Sequence, residues 1–200
     1  MEALRRTLHL DVAPWRELPD DLITLAFNQP SYTPRKEERN ALEQQYGTYH
    51  LEDFEVLGDA VLEMVVTELL FYRIQGPGDL SRIRSELVRN TTLYSFMARD
   101  NLCQYIQGQG KMTVKDCADV FEALVGALYY WISRQNTGDA IVQVGKYLRM
   151  WWYTDNVLEK VLRGQSIDVD PHTGRSLRPK GKEARIARSP SPLRRTRSKR

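Results

Sequence analysis

From Leu51 to Arg73 the sequence LEDFEVLGDAVLEMVVTELLFYR carries Val61, Leu62, Val65, Val66, Leu69 and Leu70 at spacings of three and four residues. This period of 3.6 builds one apolar face on a helix and cannot serve a strand, whose faces alternate every second residue. The same spacing recurs in VKDCADVFEALVGALYYWI (114–132) and almost no stretch alternates with a period of two, so the expected fold class is all-α. Gly126 in the second of these helices is expected to let another helix approach closely.

Other helices follow from the same pattern. ELPDDLITLAF opens one, with Asp20 as candidate N-cap, and the prolines at 30 and 34 end it. GPG at 76–78 should stop the 51–73 helix. A third helix should begin near Asp79 or Ser81 and run unbroken through RIRSELVRNTTLYSFMARDNL, with a loop at 108–111. AIVQVGKYLRMWWYTDNVLEKVL reads as one final element, with Trp151 and Trp152 expected in a core or interface.

With 42% hydrophobic residues and 10% aromatics in 200 residues, the chain can bury a substantial core. AVLEMVVTELLF is interrupted by Glu63 and Glu68, so no membrane span is expected. The first 15 residues mix Arg5 and Arg6 with Glu2 and Asp11 and lack a long apolar run, which argues against a secretory signal and points to an intracellular setting. Cys103 and Cys117 form no CxxC pair and have no zinc-type His spacing, so both read as small buried apolar residues. His9, His50 and His172 are scattered and read as packing or surface residues.

Charge divides the chain. Of 29 basic and 26 acidic residues, 11 and 3 fall in 164–200, a balance of +8, leaving 18 and 23 in 1–163, a balance of −5. The expected organisation is a folded domain over 1–163 and a basic tail over 164–200, too poor in large apolar residues to offset the entropy of ordering it.

Two sets of acids lie within the apolar helices. Glu52, Glu55 and Asp59 stand at i, i+3 and i+7, within about 60° of one face and ~10 Å of axis. Asp119 and Glu122 form an i, i+3 pair inside the most apolar helix. Ionised carboxylates in such a setting need hydrogen bonds, ion partners or a metal. Two sets on two core helices could hold Mg²⁺; they could equally be solvated faces or arginine partners, and spacing alone would also admit Glu63.

Four ordered stretches carry a resemblance that separates these readings: AFNQPSY (26–32), LEDFEVLGDAVL (51–62), GDLSRIRSELVRNTTL (78–93) and KDCADVFEALVGALY (115–129). Together they resemble the ribonuclease III family over roughly residues 18–150. The resemblance implies a helical endonuclease domain in which Glu55, Asp59, Asp119 and Glu122 are the catalytic acids and metal ligands, with Mg²⁺ as cofactor and Mn²⁺ able to substitute. Glu63 matches no catalytic position. The implied reaction is two-metal hydrolysis of double-stranded RNA, giving 5′-phosphate and 3′-hydroxyl ends, by a homodimer with one site for each strand. Duplex RNA is read through shape, phosphates and 2′-hydroxyls, so sequence choice should be modest. Glu52, Ser81, Arg84, Asn90, Lys115 and the tail residues Arg194, Arg195 and Arg197 are the expected RNA contacts.

The sequence departs from the family pattern at three places. Val56 replaces a Phe that normally plugs into the partner subunit, and Phe54 is the candidate substitute. NQPSY replaces a Thr-His-containing stretch, a change expected to be structural. The 37 residues after Arg163 are too few for the usual double-stranded RNA-binding domain. The basic tail could replace its electrostatic part, a separate RNA-binding partner could supply it, or RRTRSKR could serve targeting. Two further readings are a catalytically inactive ribonuclease III-like assembly protein and an acidic helical interaction module unrelated to RNA. Four acids matching the motif favour the enzyme.

Overall fold

The computed structural model describes residues 1–32, 36–47, 49–135, 139–165 and 167. Arg194, Arg195, Arg197 and almost all of the basic tail lie outside them. The described residues contain nine α-helices: α1 (Glu2–Thr7), α2 (Asp20–Phe27), α3 (Lys36–Tyr46), α4 (Leu51–Phe71), α5 (Pro77–Leu87), α6 (Asn90–Arg99), α7 (Val114–Arg134), α8 (Ala140–Tyr153) and α9 (Val157–Leu162). None is long and apolar enough to cross a membrane.

The centre of the fold is the antiparallel pair α4 and α7. Gly58 abuts the Glu122 carbonyl and the Gly126 amide, while Gly126 abuts the Phe54 carbonyl; a Cβ at either glycine would collide with backbone. The close approach expected at Gly126 is therefore present, and it needs a second glycine that the sequence reading did not single out. One turn further along the same two helices, Phe54 and Tyr130 meet edge to face at 5.5 Å. α7 is wrapped by α2, α6 and α8 as well as α4, which accounts for its apolar residues on nearly every face: Val120, Phe121, Ala123, Leu124, Val125 and Leu128 are all fully buried.

Trp151 and Trp152 are core residues, as expected. The Trp151 ring packs against Phe96, Phe121 and Tyr147, and His9 stands edge-on to it at 5.3 Å, a packing role. Burial pushes the Tyr147 phenol up, and its hydroxyl donates to the Leu8 carbonyl at 3.0 Å. That bond ties the N-terminal segment to α8.

Several boundaries differ from expectation for local reasons. Asp20 is the first residue of α2, not its cap; Pro19 precedes it, and the Asp20 carboxylate pairs with Arg5, whose guanidinium also donates to the Leu18 carbonyl. α4 ends at Phe71, and Gly76 with Pro77 begins α5 rather than stopping α4: Gly76 has φ 95° and Pro77 occupies the first turn, where its missing N–H costs nothing. The helix expected from Asp79 onward is two, because Arg89 is extended and the Thr92 hydroxyl caps the Glu86 carbonyl at 2.7 Å. The last element also divides, at Asp155 and Asn156, both with positive φ.

The cysteines are a correction. They are not two independent apolar residues but a disulfide, Cys103–Cys117, with Cα atoms 5.8 Å apart. Cys103 lies in a 3-10 turn (Leu102–Tyr105) after α6 and Cys117 in the first turns of α7, fourteen residues away in sequence. Pairing across such a loop depends on how the helices pack and is invisible in the spacing.

Candidate active site

The site is built where α4 and α7 cross. The two glycines bring the backbones together, and Glu55 and Glu122 then stand on adjoining turns of facing helices. Asp119, one turn before Glu122, joins them. Carboxylate oxygens of Glu55, Asp119 and Glu122 lie within 4.8 Å of one another. Asp59 is exposed and stands outside this trio, although its charge acts on Glu122. Glu52 is exposed as well, and its influence on Glu55 is the weakest of those acting there. The first acidic set thus does not converge as a unit: Glu55 is the member that meets the α7 acids.

Glu122 is one of two buried polar or charged residues among those described, only 8% exposed. Burial, then the charges of Asp59, Asp119 and Glu55, push its carboxyl up to about 8. Glu55 is also raised, first by burial and then by Asp119, with Lys115 opposing. Lys115 reaches over the acids from the first turn of α7, its Nζ 2.6 Å from Asp119 Oδ2 and 3.6 Å from Glu55 Oε1. The hydrogen bond to Asp119 is the main reason the Lys115 ammonium is held above its ordinary range.

The start of α7 is itself fixed. Thr113 and Asp116 form a reciprocal capping box: the Thr113 amide donates to Asp116 Oδ2 at 2.7 Å and the Asp116 amide donates to the Thr113 hydroxyl at 3.1 Å. That bonding holds the Asp116 carboxyl below its ordinary range, with Gln29 contributing. The Gln29 amide donates to the Gln107 carbonyl at 2.9 Å, the Gln107 amide to the Phe27 carbonyl at 2.8 Å, and the Gln109 amide to Ser31 Oγ at 3.0 Å. The NQPSY stretch thus braces the loop that leads into the acid-bearing helix. A T-x-x-D pattern before an apolar run was readable as a cap; the role of Gln29 was not.

The remaining predicted residues are spread elsewhere. Arg84 on α5 pairs with Glu63 of α4 at 3.8 Å, which gives Glu63 a partner outside the acidic trio. Ser81 is exposed, and its carbonyl accepts from the Ser85 hydroxyl at 2.9 Å. Asn90 is exposed at the start of α6. Phe54 cannot replace the missing Phe at 56, because it is 2% exposed and its ring is packed against Tyr49 and Tyr130 within the chain. Val56 is 73% exposed, and Met64 and Phe71 stand exposed on the same side of α4.

All three oxygens of the trio come from carboxylates, a hard donor set of the kind that holds Mg²⁺ or Mn²⁺, and the trio is compact enough to share one ion. An acid held on a core helix and otherwise driven towards its neutral form by its neighbours is what such a cation would relieve.

Comparison with known proteins gives the family of the chain. The ribonuclease III domain model matches residues 52–130. Ribonuclease 3 of Lactiplantibacillus plantarum is 32% identical over 166 residues, covering 75% of this chain and 69% of that protein. Ribonuclease 3 of Syntrophomonas wolfei is 34% identical over 126 residues, and the chain spans 50% of its length. Among solved structures, the nuclease domain of ribonuclease III from Campylobacter jejuni has the same fold, with TM-score 0.58 at 24% identity, covering 77% of this chain and 95% of that one. A second structure of that domain, concerned with flexibility in a region involved in its dimer formation, gives TM-score 0.57. The chain belongs to the ribonuclease III family of endoribonucleases.

Proposed function

We propose that this chain hydrolyses double-stranded RNA, with Glu55, Asp59, Asp119 and Glu122 forming one metal-binding active site and a homodimer presenting two such sites to a duplex. The observation that carries the reading is the convergence of Glu55, Asp119 and Glu122 within 4.8 Å across the α4–α7 contact. A purely structural helix pair gains nothing from an acid as buried as Glu122.

Bound Mg²⁺, or Mn²⁺ in its place, would supply a deprotonated water for in-line attack on phosphorus and neutralise charge on the departing 3′ oxygen. The protein supplies the placement. Gly58 and Gly126 set the distance between the acid-bearing helices, the Thr113–Asp116 box fixes where α7 begins, and the buried position of Glu122 keeps one ligand away from bulk water. Cleavage leaves a 5′-phosphate and a 3′-hydroxyl.

The exposed apolar side of α4, with Val56, Met64 and Phe71, supports a second copy as its cover. The C. jejuni domain, a dimer-forming relative in fold, points the same way. With a folded part of charge −5, affinity for a polyanion is expected to draw on the basic tail or on a separate RNA-binding partner.

The deciding experiment incubates the purified chain with a long RNA duplex and Mg²⁺, with a chelator control, and maps product ends. Chelator-sensitive fragments with 5′-phosphates are expected. Intact duplex at high enzyme concentration in Mg²⁺ would sink the proposal and favour a non-catalytic assembly protein on the same fold.

A further inference from the structure

We infer that Lys115 is the resident counter-ion of the acidic site, and that loading a divalent cation displaces its ammonium towards the approaching RNA phosphate. This deepens the proposed function and rests on the metal-binding reading of the trio.

Three observations converge on Lys115. Its Nζ lies 2.6 Å from Asp119 Oδ2 and 3.6 Å from Glu55 Oε1, so one ammonium bridges acids from both helices. The Asp119 and Glu55 side chains are 16% and 25% exposed while that of Lys115 is 65% exposed: the acids form the floor and the lysine reaches across from the rim. Finally, Lys115 is the second residue of α7, where a positive charge opposes the helix dipole. A lysine preceding an aspartate by four residues is also the weaker order for a helical ion pair. Helix stability therefore does not account for a lysine at this position; the acids do.

The chain has to keep Glu55 and Asp119 close together beside Glu122 before any metal arrives, and the repulsion between like charges works against that. One ammonium across Glu55 and Asp119 relieves it. A divalent cation carries twice the charge and is coordinated directly by oxygens, whereas the lysine pair is exposed to water and correspondingly weak. The two cations compete for the same oxygens. The lysine stem has four rotatable bonds and its head is already in solvent, so release requires no rearrangement of α7. Released at the rim, where its side chain is already 65% exposed, the ammonium is free to meet a phosphate. Metal and RNA would then each raise the other's affinity by the same factor, as linkage demands.

The test uses the whole chain. Calorimetric Mg²⁺ titrations compare wild type, K115M and K115R, and acetylation by an N-hydroxysuccinimide ester, read by mass spectrometry, follows Lys115 against exposed Lys111 as internal reference. K115M is expected to bind Mg²⁺ about two- to fivefold more tightly, the range an exposed ion pair can impose on a competitor, and K115R to restore the wild-type constant. Mg²⁺ should raise acetylation of Lys115 relative to Lys111, and saturating duplex RNA should lower it again. If wild type binds Mg²⁺ but Lys115 labelling ignores the ion and K115M binds it as wild type does, the inference is overturned while the proposed function stands. If wild type binds no Mg²⁺ at all, both fall.

Discussion

Gly58 of α4 lies directly against the backbone carbonyl of Glu122 in α7, with no room for a Cβ between them. The most buried acid of the site is thus carried on the backbone segment that a glycine brings into contact. Gly58→Ala should gain slightly in helix propensity yet lose overall, since backbone cannot yield as a flexible side chain can; about 1–3 kcal/mol of destabilisation, or more, is expected by chemical denaturation. Gly78→Ala, in the first turn of α5 with open space around it, is the control and should be neutral or mildly stabilising. Equal effects at the two glycines would contradict the close-contact account.

Glu122 sets a pH dependence. Folded Glu122 holds its proton up to about 8, whereas an unfolded glutamate releases it near the ordinary 4.5, so the folded state binds more protons in between. The metal-free chain should therefore be most favoured below about 4.5 on this account, and should lose stability as pH rises towards 8, by on the order of a few kcal/mol. Glu122→Gln should remove that loss, visible as a flatter dependence of Tm on pH without Mg²⁺. In wild type, Mg²⁺ binding should tighten as pH rises through the same window, because the ion displaces the proton. Identical melts for wild type and Glu122→Gln from pH 5 to 8 would disprove the assignment.

Loss of an acid should cost activity far more than stability. Glu122→Ala or Asp59→Asn should lower Mg²⁺-dependent duplex cleavage by on the order of 10³-fold, since several kcal/mol of charge stabilisation disappear. Asp59 is the sharper case, because it is exposed and outside the compact trio. Unchanged turnover in Asp59→Asn would remove it from the site and leave Glu55, Asp119 and Glu122 as the ligands.

The side of α4 bearing Val56, Met64 and Phe71 is expected to be covered by a second copy. Val56→Asp should yield monomers by light scattering at micromolar concentration, because it places a charge in an apolar contact. Val56 is 73% exposed in the single chain, so the substitution should leave the Tm of the monomer nearly unchanged. A dimer that survives Val56→Asp would place the interface elsewhere.

Deleting residues 170–200 should weaken duplex binding and flatten its salt dependence, since Lys and Arg that neutralise phosphates contribute roughly −0.9 per contact to the slope of log affinity on log salt. Turnover at saturating RNA should change little. An unchanged affinity and slope would assign the tail to targeting or to another partner.

Periodicity alone was enough to establish an all-helical chain, because a 3.6-residue repeat of Val and Leu is local information carried by each segment. It also placed α4 and α7 to within two residues at their ends, while the aromatic character of Trp151 and Trp152 pointed to a core or an interface and the packing puts them in the core. The resemblance to the ribonuclease III pattern, again carried by short ordered stretches, selected Glu55, Asp59, Asp119 and Glu122 from many acids, and packing brings all but Asp59 into one compact trio. Where neighbouring geometry decides, the sequence was silent or misleading. The breaks at Arg89 and at Asp155–Asn156 occur inside stretches whose apolar period continues, because capping bonds and left-handed residues override propensity there. The Cys103–Cys117 bond, the burial of Phe54 and the bridge from Gln29 to the start of α7 all depend on which helix lies beside which. Lys115 shows the division most clearly: its spacing from Asp119 was on the page from the start, but its reach to Glu55 exists only once Gly58 and Gly126 have drawn the two helices together. A sequence records which charges a helix carries; packing decides which charges of a second helix they must face.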